Sequence, residues 1–167
     1  DDLRRSVEEA IDAGVDHVSA YSLIVEDGTP LARRVRRGEL PAPDDDVAAA
    51  RYAIVDRLLT DAGMAWYEVS NWARSTAQQC RHNLGYWHSD DWWGFGPGAH
   101  SHVGGVRWWN VKHPSTYASR LSDKTSPAYA RELLTPEDRH VEEVMLGLRL
   151  AEGLPLLGVL PGLVQGP

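Results

Sequence analysis

Two short apolar runs, residues 17–24 (HVSAYSLI) and 64–70 (MAWYEVS), stand far enough apart to hold two helices between them, and this spacing restricts the fold more than any other feature. Each run is rich in β-branched and aromatic residues and bounded by turn residues, so each predicts a buried strand. Between them, Thr29 caps and Pro30 opens a short basic helix, 31–37, that ends at Gly38. Asp44, Asp45 and Asp46 supply the cap and the N-terminal negative charge of a long helix with Val47, Ile54, Val55, Leu58 and Leu59 inward, stopped by Gly63. Residues 1–13 predict another amphipathic helix, with Leu3, Val7, Ala10 and Ile11 on one face and Gly14 after the last turn. Two strands joined by such a crossover predict parallel neighbours in an α/β layer with a right-handed connection. Functional groups gather at the carboxyl ends of such strands, which here places Tyr21, Ser22, Glu68, Ser70 and Asn71 on the rim.

From Asn71 to Pro114 the periodicity lapses and Trp, His and Gly take over: the chain has 7 Trp against a single Phe, and five of its 7 His fall within 82–113. Irregular segments this long inside a compact domain are functional or poorly assigned. Gly104-Gly105 predicts a hairpin turn between 100–103 and 106–111. Thr135-Pro136 opens a last helix with Val141, Val144, Met145 and Leu148 on one face and Gly153 at its end. Residues 154–167 then run out in apolar residues and prolines, and together with the Asp1 start this reads as a fragment or processed product. The expected division is 1–113, holding the strands and the His/Trp/Gly-rich segment, and 114–167, the start of a helical domain.

Composition narrows the chemistry. Lys plus Arg is 17 against 24 Asp plus Glu, a net charge of −7, which disfavours generic attraction to nucleic acid or anionic lipid. Every apolar run is interrupted well short of a membrane span, and the chain opens on acidic and basic residues without a signal-like apolar stretch. The only cysteine, Cys80, excludes an internal disulfide and a Cys-only metal or iron–sulfur site, and a reducing cytoplasm is the expected compartment.

The densest constellation is CRHNLGYWH, residues 80–88. If its middle is helical, His82 and Tyr86 lie four apart on one face, and an imidazole and a phenol address one ligand together. A haem asks for one oriented histidine, flat walls and a cation for its propionates, for which Arg81 is adjacent. The competing reading has His82 and Asn83 satisfying backbone groups in an irregular loop while Trp87 fills the core. In GFGPGAHSH, residues 94–102, alternating glycines either cradle a carboxylate or phosphate or simply carry a tight bend beneath Trp92 and Trp93. A dinucleotide loop is excluded, because a hairpin rather than a helix follows. His100 and His102 with Cys80 and His82 match no common zinc spacing, so no metal ligands are assigned. Cys80 with His82 lacks an orienting third group for nucleophilic catalysis, and Glu68 lacks a partner carboxylate, so no catalytic residue is assigned.

Taken in order, HVSAYSLIVEDGTPL, WYEVSNWA, CRHNLGYW, GFGPGAHS and RWWNVKHPSTY resemble the HemW family of radical S-adenosylmethionine proteins, once grouped with oxygen-independent coproporphyrinogen III oxidase. The resemblance implies an α/β fold, the late portion of an incomplete (β/α) barrel followed by the start of a smaller C-terminal domain. It implies a haem chaperone that passes haem to respiratory apoproteins, with a fragment of a coproporphyrinogen oxidase or a non-catalytic binding domain as the alternatives. His82, Asn83, Tyr86 and Trp87 become the haem-contacting element, and Tyr21, Ser22, Leu23 and Ile24 border the S-adenosylmethionine pocket. The family's [4Fe-4S] cluster and S-adenosylmethionine belong to its three-cysteine segment, which this sequence lacks, so this chain alone is not expected to run radical chemistry. Exposed sheet edges from missing barrel strands imply self-association.

Overall fold

The computed structural model describes residues 2–155. The apolar tail lies outside the described residues from position 156 onward. The chain divides into two compact units, one ending at Gln79 and one beginning at Cys80, a division different from a boundary at 113/114.

The first unit contains α1 (Asp2–Asp12), β1 (His17–Ser19), α2 (Pro30–Arg36), α3 (Asp45–Asp61), β2 (Ala65–Glu68) and β3 (Asn71–Ala73). The caps act as their residue types dictate: Thr29 Oγ1 accepts from Ala32 N at 3.1 Å and Asp44 Oδ1 from Val47 N at 2.9 Å. The two anticipated strands are there, but they are not hydrogen-bonded neighbours. After β2 the chain reverses at Val69-Ser70, and β3 enters between β1 and β2, antiparallel to both. β1 and β2 therefore still run parallel to each other, with a three-residue strand filling the gap. β1 also stops at Ser19, so residues 20–24 form an irregular segment rather than the second half of a strand. Val7 of α1, Val55 and Leu59 of α3, Met64 and Trp72 form the core, with Leu3, Ile11, Val18 and Leu58 against it. Val47, in the first turn of α3, is exposed rather than inward.

The second unit holds α4 (Arg81–Trp87), β4 (His100–Val103), β5 (Val106–Asn110), α5 (Pro114–Ser122), β6 (Ala128–Leu133) and α6 (Pro136–Gly147). The hairpin at Gly104-Gly105 forms as the glycines require, both at positive φ, and β6 completes an antiparallel sheet in the order β4-β5-β6. Strand alternation sorts the residues onto two faces. His100, His102, Arg107 and Trp109 lie on one, and Ser101, Trp108 and Arg131 on the other, with His100 opposite Trp109 and Arg131 opposite Trp108. Of the predicted stripe, Val141 and Met145 on α6 and Leu148 at its C-cap are exposed, and only Val144 is half-buried. The inner side presents Glu142 instead, whose Oε1 takes the Arg107 guanidinium at 2.6 Å.

α6 begins with a capping box: Thr135 Oγ1 accepts from Asp138 N at 3.1 Å, and the Asp138 carboxylate accepts from Thr135 N at 3.0 Å. Thr135→Ala is expected to cost about 1 kcal/mol of the second unit's stability, read by urea denaturation. The hydrogen bonds from the Thr135 side chain and backbone hold the Asp138 carboxyl below its usual value. The folded state thus binds that proton less tightly than the unfolded chain does. The contribution is full above roughly pH 4 and is lost as pH falls through the lower folded value. In Thr135→Ala this acid-limb dependence is expected to shrink; an unchanged pH profile contradicts the box.

Candidate functional site

The segment 80–88 is helical where the two-sided reading of His82 and Tyr86 needs it to be. α4 is one tight piece, opened by Leu84 N on Cys80 O at 3.0 Å and closed by Asp90 N on Gly85 O at 2.8 Å. The His82 and Tyr86 rings meet edge to face with centroids 4.7 Å apart. Tyr86 then meets Trp92 at 4.8 Å, and Trp92 meets His102 at 4.9 Å. This aromatic string leads from an exposed imidazole to a buried one, since His82 is exposed while His102 lies within the sheet. His102 Nδ1 donates to the Asp90 carbonyl at 3.2 Å, which fixes its tautomer. Among the described residues no group hydrogen-bonds the His82 nitrogens, so the competing reading, in which this ring satisfies backbone groups, does not describe it.

Trp87 does not fill the core. It is half-buried, the Arg149 guanidinium sits 5.8 Å from its ring, and its buried Nε1 finds no hydrogen-bond partner among the described residues. Tyr86 and Trp87, with Trp92, His102, Arg107 and Leu146, line a cavity of about 730 Å³ on the α6 face of the sheet. His82 and Asn83 are not in its wall. The element is therefore divided: His82 stands outside, one turn before Tyr86 on the cavity lip, and Asn83 is half-buried.

The glycine-rich segment is a structural bend. Gly94 N donates to Ser101 Oγ at 2.9 Å, Gly96 N to Tyr117 Oη at 3.1 Å and Gly98 N to Val111 O at 2.9 Å. Amides that an anion would need are already committed within the protein, so the carboxylate or phosphate cradle is set aside. Asn110 Nδ2 adds donors to Gly96 O at 3.0 Å and Gly94 O at 3.4 Å. Sequence reasoning had no signal for Asn110 or Ser101, both buried, as the pins of this loop.

In the first unit, Tyr21, Ser22, Leu23 and Ile24 all lie exposed beyond the end of β1. Only Tyr21 joins the rim residues: its hydroxyl accepts from Asn71 Nδ2 at 3.2 Å. Asn71 Nδ2 also reaches Glu68 Oε1 at 2.5 Å, and Ser19 Oγ donates to Asn71 Oδ1. Asn71 and Glu68 are buried. The chain's single cysteine and the lack, among the described residues, of any converging group of three His, Cys, Asp or Glu do not fit an iron–sulfur cluster held by three thiolates.

No profile of a known protein family matches the chain. Its backbone superposes with a TM-score of 0.71 on coproporphyrinogen III oxidase of Escherichia coli, a radical SAM enzyme, at 16% identity, covering 94% of this chain and 38% of that one. The fold is thus α/β, of the kind found in part of that radical SAM structure. In sequence, the chain is 62% identical over 156 residues to the heme chaperone HemW of Mycobacterium tuberculosis (strain H37Rv), covering 93% of this chain and 40% of that protein. It is 35% identical over 152 residues to the heme chaperone HemW of Bacillus subtilis, covering 91% and 40%. It is 33% identical over 159 residues to the mitochondrial radical S-adenosyl methionine domain-containing protein 1 of Danio rerio, covering 90% and 36%. The chain spans about two fifths of the length of the curated relatives it matches. Over that segment its sequence is homologous to part of the HemW heme chaperones. Among the described residues no helix is long and apolar enough to cross a membrane.

Proposed function

We propose that this chain contributes the haem-contacting segment of a haem chaperone, with haem as cargo handed on to a respiratory apoprotein in the cytoplasm. One observation carries the site assignment: the exposed His82 ring, held edge-on by Tyr86, keeps its nitrogens clear of other described groups. An imidazole so placed would serve as a ligand to haem iron, and the aromatic string behind it offers flat walls. The 62% identity to a protein named a heme chaperone supports the function. Tyr86 positions the ring, Trp87 lines the adjoining cavity and Asn83 accompanies them on α4. Tyr21, tied to Asn71, is the residue of the 21–24 segment that best fits a cofactor border.

Titrating haemin into the chain is expected to give a shifted Soret band. His82→Ala should abolish that band's position and weaken binding about tenfold, a loss of about 1.4 kcal/mol, with the far-ultraviolet circular dichroism unchanged. The same Soret spectrum in the variant removes His82 as ligand.

A further inference from the structure

Two side-chain N–H groups, Trp87 Nε1 and Arg107 Nε, are buried without a hydrogen-bond acceptor among the described residues. Both residues belong to the wall of one cavity, the space of about 730 Å³ on the α6 face of the sheet. Arg107 is neutralised, since carboxylate oxygens of Glu142 and Glu132 stand 2.6 and 3.3 Å from its guanidinium, so its Nε lacks only an aligned acceptor. Trp87 has no such compensation, because the Arg149 guanidinium engages its ring and not its N–H. Native proteins pair nearly all buried donors, and leaving one unpaired is costly. Two in one cavity ask for a ligand that brings acceptor oxygens.

The surrounding charge selects the acceptor. Asp91, Glu142, Glu143 and Glu152 line the cavity against Arg107 and Arg139, so a carboxylate or phosphate meets an acidic wall in a chain already at −7. A neutral carbonyl oxygen meets no such repulsion. Glu143 is exposed and has no hydrogen bond or ion pair among the described residues, and Asp91 is exposed as well, which suits a cation on the occupant. The rest of the wall is apolar: Leu134 and Leu150 are buried, and Trp92 and Leu146 adjoin them. Neutral carbonyls, apolar side chains and outlying cations together describe a peptide whose apolar stretch is flanked by lysine or arginine.

We propose that this cavity docks such a segment of a partner protein, with main-chain carbonyls on Trp87 Nε1 and Arg107 Nε and a basic side chain on Glu143. Tyr86 lines the cavity and its ring meets that of His82, so a docked segment lies beside the element that carries the imidazole. That the partner is the protein receiving haem rests on the haem-chaperone reading; the docking itself does not.

The probe is the blocked peptide acetyl-Lys-Leu-Ala-Leu-Leu-Lys amide, with acetyl-Glu-Leu-Ala-Leu-Leu-Glu amide for comparison. Each is titrated into the isotope-labelled full chain while the indole N–H resonances are followed, that of Trp87 being the one lost in Trp87→Phe. The lysine peptide is expected to move the Trp87 indole proton downfield as it gains an acceptor, and to leave that of Trp72, already bonded to Asp56 at 2.9 Å, in place. Trp87→Phe keeps a ring for Arg149 but removes the donor, and should weaken the lysine peptide about tenfold with circular dichroism unchanged. Glu143→Lys should reverse the preference between the two peptides. His82→Ala should alter neither affinity, so the docking site and the haem ligand can fail separately. No binding, equal binding of the two peptides, an unmoved Trp87 indole, or indifference to Trp87→Phe and Glu143→Lys each overturns the proposal. Binding that appears only in a chain ending at Pro155 assigns the cavity to this protein's own last residues, and a Trp87 shift produced by concentrating the chain without peptide assigns it to a second copy. Either result overturns the proposal too.

Discussion

Gly94→Ala is expected to disrupt the second unit, with a loss of about 3 kcal/mol or more, although it adds only a methyl group. A Cβ at this position lies 2.0 Å from the His100 carbonyl oxygen, 2.8 Å from its carbon and 3.0 Å from Ala99 Cβ. The neighbour is backbone, so no rotamer change relieves the overlap. Nor can either segment retreat easily. Trp92 and His102 exchange backbone hydrogen bonds of 2.7 and 2.9 Å, and Gly94 N is held by buried Ser101. Gly96→Ala is the informative control. Gly96 has φ +102° with nothing within 4 Å of a Cβ, so its cost is backbone conformation alone, roughly 1–2 kcal/mol. Hydrogen exchange over residues 92–103 checks both: protection should collapse in Gly94→Ala and survive in Gly96→Ala. Equal protection in the two variants contradicts the close approach.

The glycines at 94, 96 and 98 are conspicuous in the sequence, but their reason is visible only when β4 is folded back against them. The spacing alone allowed both a ligand cradle and a bend, and the deciding groups, Ser101 and Asn110, come from two different strands. Local signals fared better. Thr29, Asp44 and Thr135 cap helices because a short side-chain oxygen next to free amides acts over one turn, and Gly104-Gly105 makes its hairpin for equally local reasons. The pairing of His82 with Tyr86 follows from helical spacing alone. β3 was hidden because three residues give no alternation, and Ser70-Asn71 reads as the end of β2 rather than a reversal. β6, Ala128–Leu133, is an edge strand in which Tyr129 alone favours a strand, the rest being Ala, Arg, Glu and Leu. The grouping of Trp93, Trp108 and Tyr129 is less legible still, since they converge from three separate segments. On α6, hydrophobic periodicity marked the apolar stripe correctly but not its exposure, because the Arg107–Glu142 pair claims the inner side.

The first unit should depend on one side chain more than any other: Trp72→Ala is expected to cost about 3–5 kcal/mol. Trp72 is fully buried at the middle of β3, against Val7, Val55, Leu59 and Met64, so its removal opens a cavity shared by both helices and the central strand. Its Nε1 donates to Asp56 Oδ1 at 2.9 Å, and the Tyr52 ring packs on it with centroids 5.5 Å apart. Tyr52 feels the same environment: burial, and then the Asp56 carboxylate, raise its hydroxyl above the usual tyrosine range. Trp72→Phe separates volume from hydrogen bonding. It keeps most of the apolar contact and gives up the indole N–H, so its cost should be about 1–2 kcal/mol, partly offset because Asp56 is only half-buried and can hydrate. Against a typical total stability of about 5–15 kcal/mol, the alanine variant should leave residues 2–79 largely unprotected in hydrogen exchange while the phenylalanine variant stays folded. If Asp56→Ala in the Trp72→Phe background costs as much as it does in the parent chain, the indole–carboxylate bond adds nothing and the central strand is held by packing alone.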